Sequence, residues 1–421
     1  MNSSLTQMAI AVVLVGCGGT ADVDGGLDAD VMDADAARDA ARDALADVGS
    51  DGSRDAPSDA GPLPLCSPGV GLSASIPACS VADPCTDLLP TYARRTPPVD
   101  RLDTPSDAPT CATSSAGTDR GYPAYTDGAP RSWMSPAGVN RHWCEARPAG
   151  IGAASPRPLL IYLAPSGGDA GTVYDATLLR DKQPDYDLSG DPARPGFVLA
   201  SVQPRNLHWP TVDPQEGTKF DSQYRDLASP STNPDIAFVD HIIDSLVDEG
   251  VVDPARIYLM GWSNGGRFSV FYGIARRETP TPGGNHVAAV ANFSAGDPFG
   301  PPTVGDLDCQ AAPYPTAALP YYLISRTCDA IACDAGQDSG LVPGNVVEPW
   351  VAVLRTDVGA DVTWQRIDDN GVPRAACAIA GLCGTIRQIT NHIRWPDGIA
   401  DGSGRDHEPT MLDFLRDHPS D

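Results

Sequence analysis

Positive charge is scarce in this chain. Its 421 residues carry 29 Lys and Arg against 55 Asp and Glu, a formal charge of −26 at neutral pH. Nucleic acids and anionic lipid surfaces are met by clustered Lys and Arg, so neither is expected as a partner. Membrane-spanning length is missing from the N-terminal apolar run, Met8 to Val15, which suits a signal-peptide core instead. No C-x-x-C pair occurs among the eleven cysteines, so no zinc site is expected, and no other metal or cofactor is implied. What is present suffices for a core: 41 % of residues are hydrophobic, and the length allows one large α/β domain with extensions.

The N-terminal run meets Leu14-Val15-Gly16-Cys17, which resembles a bacterial lipobox, although no Lys or Arg precedes it. Residues 1–17 therefore read as a lipoprotein signal with lipidation at Cys17. From 18 to 64 the chain is almost wholly Asp, Ala, Gly, Ser and some Arg, without one aromatic residue. Such a segment cannot bury enough apolar surface to offset the entropy of ordering, so a disordered, self-repelling acidic tether is expected. An extracytoplasmic protein held to a bacterial membrane only through that lipid, or secreted, follows.

Setting Cys17 aside leaves ten cysteines, an even number that reads as disulfides in an oxidising compartment. Cys328/Cys333 and Cys377/Cys383 are close enough in sequence for local bridges. Cys66, Cys79, Cys85, Cys111 and Cys144 suggest a stapled, loop-rich segment over 65–121, with their odd number implying one bridge into the main domain.

The main domain is expected from 122 to 421. Runs at 158–164, 196–202, 256–260, 287–293 and 319–325 are apolar with little alternation, as strands buried on both faces are. Between the second and third, Asn233 reads as a helix cap and Pro234 as the first turn of a helix ending before Gly250. Strand alternating with helix predicts an α/β architecture, a mostly parallel sheet with helices on both faces. Chemistry in such sheets collects at the carboxyl ends of the strands.

One stretch sits at that edge. Residues 256–267 read RIYLMGWSNGGR, and Gly261-Trp262-Ser263-Asn264-Gly265 fits G-x-S-x-G, a serine on a sharp strand-to-helix turn. A turn that tight leaves no room for a side chain at 261 or 265. Ser263 is the candidate nucleophile.

From about Tyr122 to His418 the chain resembles α/β-hydrolases of the secreted polyhydroxybutyrate depolymerase and feruloyl esterase family. The resemblance rests on Ser-Asn-Gly-Gly at 263–266 and the strand before it, Val252 to Tyr258. It implies a carboxylic ester substrate, small or polymeric, and a Ser, Asp, His order along the chain. Asp329, in Ser-Arg-Thr-Cys-Asp, matches the family's His-Gly-Thr-Ala-Asp with Ser325 and Arg326 in place of His and Gly. Asp297 is the reserve acid. His392, before Ile393-Arg394-Trp395-Pro396, matches Gly-His-x-Trp-Pro-Gly with one extra residue, and follows a strand-like run at 385–391. His407, abutting the final helix, is the other candidate base.

An oxyanion needs backbone N–H donors. Asn264 is one candidate, and Ser166 the other, in Ala164-Pro165-Ser166-Gly167-Gly168, where the family has His-Gly-Cys-Gly-Gly. Pro165 has no N–H to give. His208 and His241 precede the elbow and read as surface or packing residues; Trp209-Pro210 and Trp262 are open between pocket lining and core. The function expected is a serine esterase. A serine peptidase of the same fold and a surface lipoprotein without turnover are the alternatives.

Overall fold

A strand buried on both faces needs an apolar side chain at every position, and Arg157–Leu163 comes close to supplying them. Leu159, Leu160, Ile161, Tyr162 and Leu163 are fully buried. Their alternation divides the interior in two: Leu159, Ile161 and Leu163 join one apolar cluster, Leu160 and Tyr162 the other. Each such side chain removed from water stabilises the fold by roughly 1.5–3 kcal/mol.

The computed structural model describes residues 65–67, 108–209, 213–222, 229–298, 310–311, 317–326, 329, 347–367 and 391–420. The expected signal segment with Cys17, the tether, most of 65–121 and the pairs Cys328/Cys333 and Cys377/Cys383 lie outside these residues. Helix α1 (Ser115–Asp119) precedes a hairpin of β1 (Ala129–Met134) and β2 (Asn140–Ala146). Then come β3 (Arg157–Leu163), the short helices α2 (Thr172–Asp175) and α3 (Leu179–Lys182), and β4 (Val198–Val202). A second hairpin, β5 (Arg205–Trp209) with β6 (Asp213–Lys219), leads to α4 (Pro234–Asp248), β7 (Val252–Trp262) and α5 (Asn264–Glu278). After these follow β8 (Ala289–Phe293), β9 (Tyr321–Arg326), α6 (Val347–Thr356), β10 (Val362–Ile367) and α7 (Glu408–Arg416).

The main sheet has the order β10-β9-β8-β7-β3-β4-β2-β1. Every pairing from β10 to β4 is parallel; β2 runs against these strands, and β1, antiparallel to β2, runs with them again. Helices cover both faces. Ile236 of α4, Phe271 of α5 and Trp350 of α6 enter one cluster; Val173 of α2, Leu179 of α3 and Met411 of α7 enter the other. The mostly parallel α/β sheet implied by the sequence is thus the one observed, and α4 starts as its cap dictates. The Asn233 side chain accepts from the N–H of Asp235 and Ile236, satisfying donors that no preceding turn can reach.

The structure departs from the sequence reading in two places. The ordered domain begins upstream of 122: Cys111 and Cys144 are bridged, and the Ser114 N–H donates to Asp175 at 2.8 Å. Two of the five early cysteines therefore pair with each other, across the expected boundary. The edge strands β1 and β10, the strand β2 and the β5–β6 hairpin were not foreseen. Of the run 385–391 expected as a strand, only Asn391 is described, and it is helical; residues 385–390 lie outside the described residues.

Candidate active site

Strand β7 ends at Trp262 and helix α5 begins at Asn264, which leaves Ser263 alone to turn the chain. Its backbone sits at φ 52 and ψ −116. A side-chain-bearing residue held there costs about 1–3 kcal/mol, so the surrounding structure must enforce it. The glycines do so by letting backbones touch. A Cβ on Gly265 would stand 2.1 Å from the Leu163 carbonyl oxygen at the end of β3, and one on Gly261 would stand 2.5 Å from the Gly265 oxygen. Helix α5 is therefore driven against the sheet's carboxyl edge, and Ser263 is left half-buried at the crest.

The structure brings Ser263, His392 and Asp329 together. Ser263 Oγ lies 2.7 Å from His392 Nε2, and His392 Nδ1 lies 3.1 Å from Asp329 Oδ1. Asp329 follows β9 and is fully buried; His392 is 2 % exposed. The alternatives sit elsewhere. His407 is buried at the start of α7, its N–H donating to the Pro396 carbonyl at 2.9 Å. Asp297 lies half-buried beyond Ser294, on the segment after β8. A strained serine at the top of a parallel sheet, with an aspartate and then a histidine following in the chain, decides the architecture. The fold is that of an α/β-hydrolase.

A residue that sequence reasoning passed over completes the cluster. Ser294 Oγ lies 2.5 Å from His392 Nδ1 and donates to Asp329 Oδ2. Its only signal in sequence is its place directly after a buried strand, with Ala295 and Gly296 behind it.

The loop carrying His392 is held by polar groups from three directions. Trp262 Nε1 donates to the His392 carbonyl at 2.8 Å. Arg326, 1 % exposed at the end of β9, donates to the carbonyls of Asn391 (3.2 Å) and Arg394 and pairs with Asp401. Its guanidinium stacks 5.0 Å over the Phe293 ring. Tyr122 donates its hydroxyl to Asp397 at 2.7 Å, and burial, followed by the charge of Asp397, pushes that hydroxyl's pKa up, keeping it a donor. Ser325 and Arg326 thus each have a structural role. Arg326 ties down the histidine loop on both sides of His392, and Ser325 Oγ accepts from Trp364 Nε1 at 2.8 Å on β10.

On the other side, the loop after β3 faces the elbow. The N–H of Gly167 is taken by the Thr218 carbonyl (2.8 Å) and that of Gly168 by Pro165 (2.9 Å). Pro165 offers none, so Ser166 is the donor that this loop has to give. The Asn264 side chain accepts from the Phe220 N–H at 2.8 Å and donates to the Phe220 carbonyl at 3.1 Å. The β5–β6 hairpin and the residue after it are thereby fastened to the loop after β3 and to the elbow, through Thr218 and Phe220.

Trp262 is core as well as tether, 6 % exposed and 5.9 Å from the ring of Trp395. His241 stacks on Trp133 at 4.7 Å. His208 and Trp209 have side chains outside the described set, as does Pro210. Among the described residues, no cluster of His, Cys, Asp or Glu is arranged to hold a metal ion.

Neither a family model nor a curated protein matches this chain. Solved structures do. A thermostable esterase aligns over 70 % of this chain and 63 % of its own at 16 % identity and TM-score 0.38, so this chain spans less than two thirds of it. An esterase from Pyrobaculum calidifontis aligns over 65 % and 88 % at 15 % identity and TM-score 0.38. A thermostable esterase from Pseudomonas putida gives 69 % and 80 % at 15 % identity and TM-score 0.38. Likenesses this distant say nothing about a reaction.

Proposed function

We propose that this protein is a serine hydrolase of carboxylic esters. The observation that carries the reading is the contact of Ser263 Oγ with His392 Nε2 at 2.7 Å, backed by buried Asp329. A serine hydroxyl is a poor nucleophile until a base takes its proton, and the base works only in the tautomer that leaves the facing nitrogen free. Asp329 accepts from Nδ1–H and so leaves Nε2 free. As Oγ attacks the ester carbonyl carbon, its proton passes to Nε2. Charge gathers on the carbonyl oxygen, where the Asn264 and Ser166 N–H groups stabilise it. The C–O bond to the alcohol then breaks, the alcohol leaves with the proton from His392, and water repeats the sequence on the acyl-enzyme.

The resemblance narrows the ester to a polyester, or to feruloyl or acetyl groups on polysaccharide. The same reading puts the domain outside the cytoplasm, on the acidic tether and lipidated Cys17. The test is covalent labelling of the full chain with an alkyl fluorophosphonate, beside hydrolysis of nitrophenyl acyl and hydroxycinnamoyl esters. Wild type is expected to label and turn over, and Ser263→Ala to lose both, with kcat down on the order of 10⁴-fold or more. Failure of the wild-type chain to label leaves a display lipoprotein, and cleavage of peptide anilides in preference to esters makes it a peptidase.

A further inference from the structure

Among the described residues, two other than glycine have positive φ: Ser263 at 52 and Ser294 at 55. They end adjacent parallel strands, β7 and β8, and contact the same imidazole from opposite sides. Ser263 Oγ meets Nε2 at 2.7 Å and Ser294 Oγ meets Nδ1 at 2.5 Å. The first strained serine has a role in the reading above. The second is equally placed, fully enclosed, and bonded to both of the other members of the relay.

With Ser263 donating to Nε2, as the serine-hydrolase reading requires, the proton inventory of this closed triangle has one solution. Buried Asp329 as a carboxylate only accepts, and both Ser294 Oγ and His392 Nδ1 face it. Nδ1–H therefore points between Asp329 Oδ1 and Ser294 Oγ, and the Ser294 hydroxyl proton goes to Asp329 Oδ2. Were Ser294 instead to donate to Nδ1, the imidazole proton would move to Nε2 and could not accept from Ser263. The hydroxyl thus bridges the carboxylate and the imidazole beside their direct 3.1 Å contact.

The geometry points to Ser294 as a positioning residue of the hydrolytic site, one that fixes the Nδ1–H tautomer and the ring plane of His392 through its bonds to Asp329. This rests on the serine-hydrolase reading. It also accounts for the strain: the positive φ turns the end of β8 so that Oγ reaches into the relay.

Three substitutions separate the hydroxyl from the backbone. Ser294→Gly relieves the strain and removes the hydroxyl. Ser294→Ala keeps the strain without the hydroxyl, and Ser294→Thr keeps the hydroxyl while adding a branched carbon to the strained site. Expected is a roughly tenfold to hundredfold loss of kcat in both Gly and Ala variants, less than general-base catalysis itself contributes, with KM within about twofold of wild type. Threonine should be the least stable of the three to heat and yet the most active. The low-field proton of His392 Nδ1, assigned by its loss in His392→Gln, should shift in Gly and Ala variants and persist in Thr. Activity that instead follows melting temperature across the series, or a Gly variant turning over at the wild-type rate, overturns the role of the hydroxyl. The fluorophosphonate rate tells the two readings apart. Wild type failing to label removes both; wild type and Ser294→Gly labelling equally fast removes only this one.

Discussion

The elbow and the histidine loop face each other across the sheet's edge, and they are fixed by opposite means. At the elbow the chain is held by absence: Gly261 and Gly265 let backbone meet backbone where a Cβ would clash. The histidine loop is held by presence, through the Trp262 indole, the Arg326 guanidinium and the carboxylates of Asp401, Asp397 and Glu408. Steric exclusion over five residues tolerates no error and needs no partner. Polar restraint from residues 13 to 275 positions away in sequence is adjustable, and each element of it can be lost separately.

That contrast is broken most severely at Gly265. Gly265→Ala puts a methyl 2.1 Å from a backbone oxygen that cannot swing aside, so α5 or β3 must move. The expected cost is at least about 3 kcal/mol, the upper end for overpacking. An elbow displaced by an ångström should lose roughly a hundredfold in turnover as well. Thermal unfolding and ester hydrolysis on the same sample measure both. A fully active variant would show that the glycine is incidental.

Arg326 is the matching site on the polar side. Arg326→Met leaves the Asp401 carboxylate, fully buried, without its cation, which should destabilise the protein by about 3–5 kcal/mol. Adding Asp401→Asn removes the orphaned charge and should restore much of that stability. Turnover is not expected to return with it, because the carbonyls of Asn391 and Arg394 still lack their donor. Recovery of both together would make Arg326 a stabilising residue with no part in placing His392.

The same contrast governs what could be read from the sequence. The buried strands at β3, β4, β7, β8 and β9 are built on apolar runs, and Ser263 carries its glycines beside it, so both are legible in a window of a dozen residues. Strand β2 is written Asn-Arg-His-Trp-Cys-Glu-Ala, which looks like a surface loop. It is buried all the same, because Arg141 finds Asp235 at 2.8 Å and the Trp143 indole finds Glu145 at 3.1 Å. Ser294 and Arg326 were invisible for the same reason. A serine and an arginine acquire a function only from partners that arrive from other strands, and nothing local distinguishes them from solvent-facing residues.

Glu408 offers the gentlest way to sharpen the comparison, because pH adjusts the polar side and leaves the steric side alone. Fully buried at the start of α7, it accepts from the Trp395 indole (2.6 Å), the Leu178 N–H (2.8 Å) and Lys182 (2.9 Å). Those donors favour the carboxylate, but loss of solvent outweighs them and pushes the carboxyl from 4.5 up to about 7. Between those two values the folded protein holds a proton that the unfolded chain has released. Stability from this group is therefore full below 4.5 and is lost as pH rises through 7, by about 3 kcal/mol at most. Glu408→Gln carries no such proton, so urea unfolding at pH 5 and pH 7.5 should show the variant gaining on wild type at the higher pH. Parallel behaviour at both would mean that the carboxyl ionises in its ordinary range and that its three donors, with the neighbouring Trp395, hold the end of the histidine loop equally well at either pH.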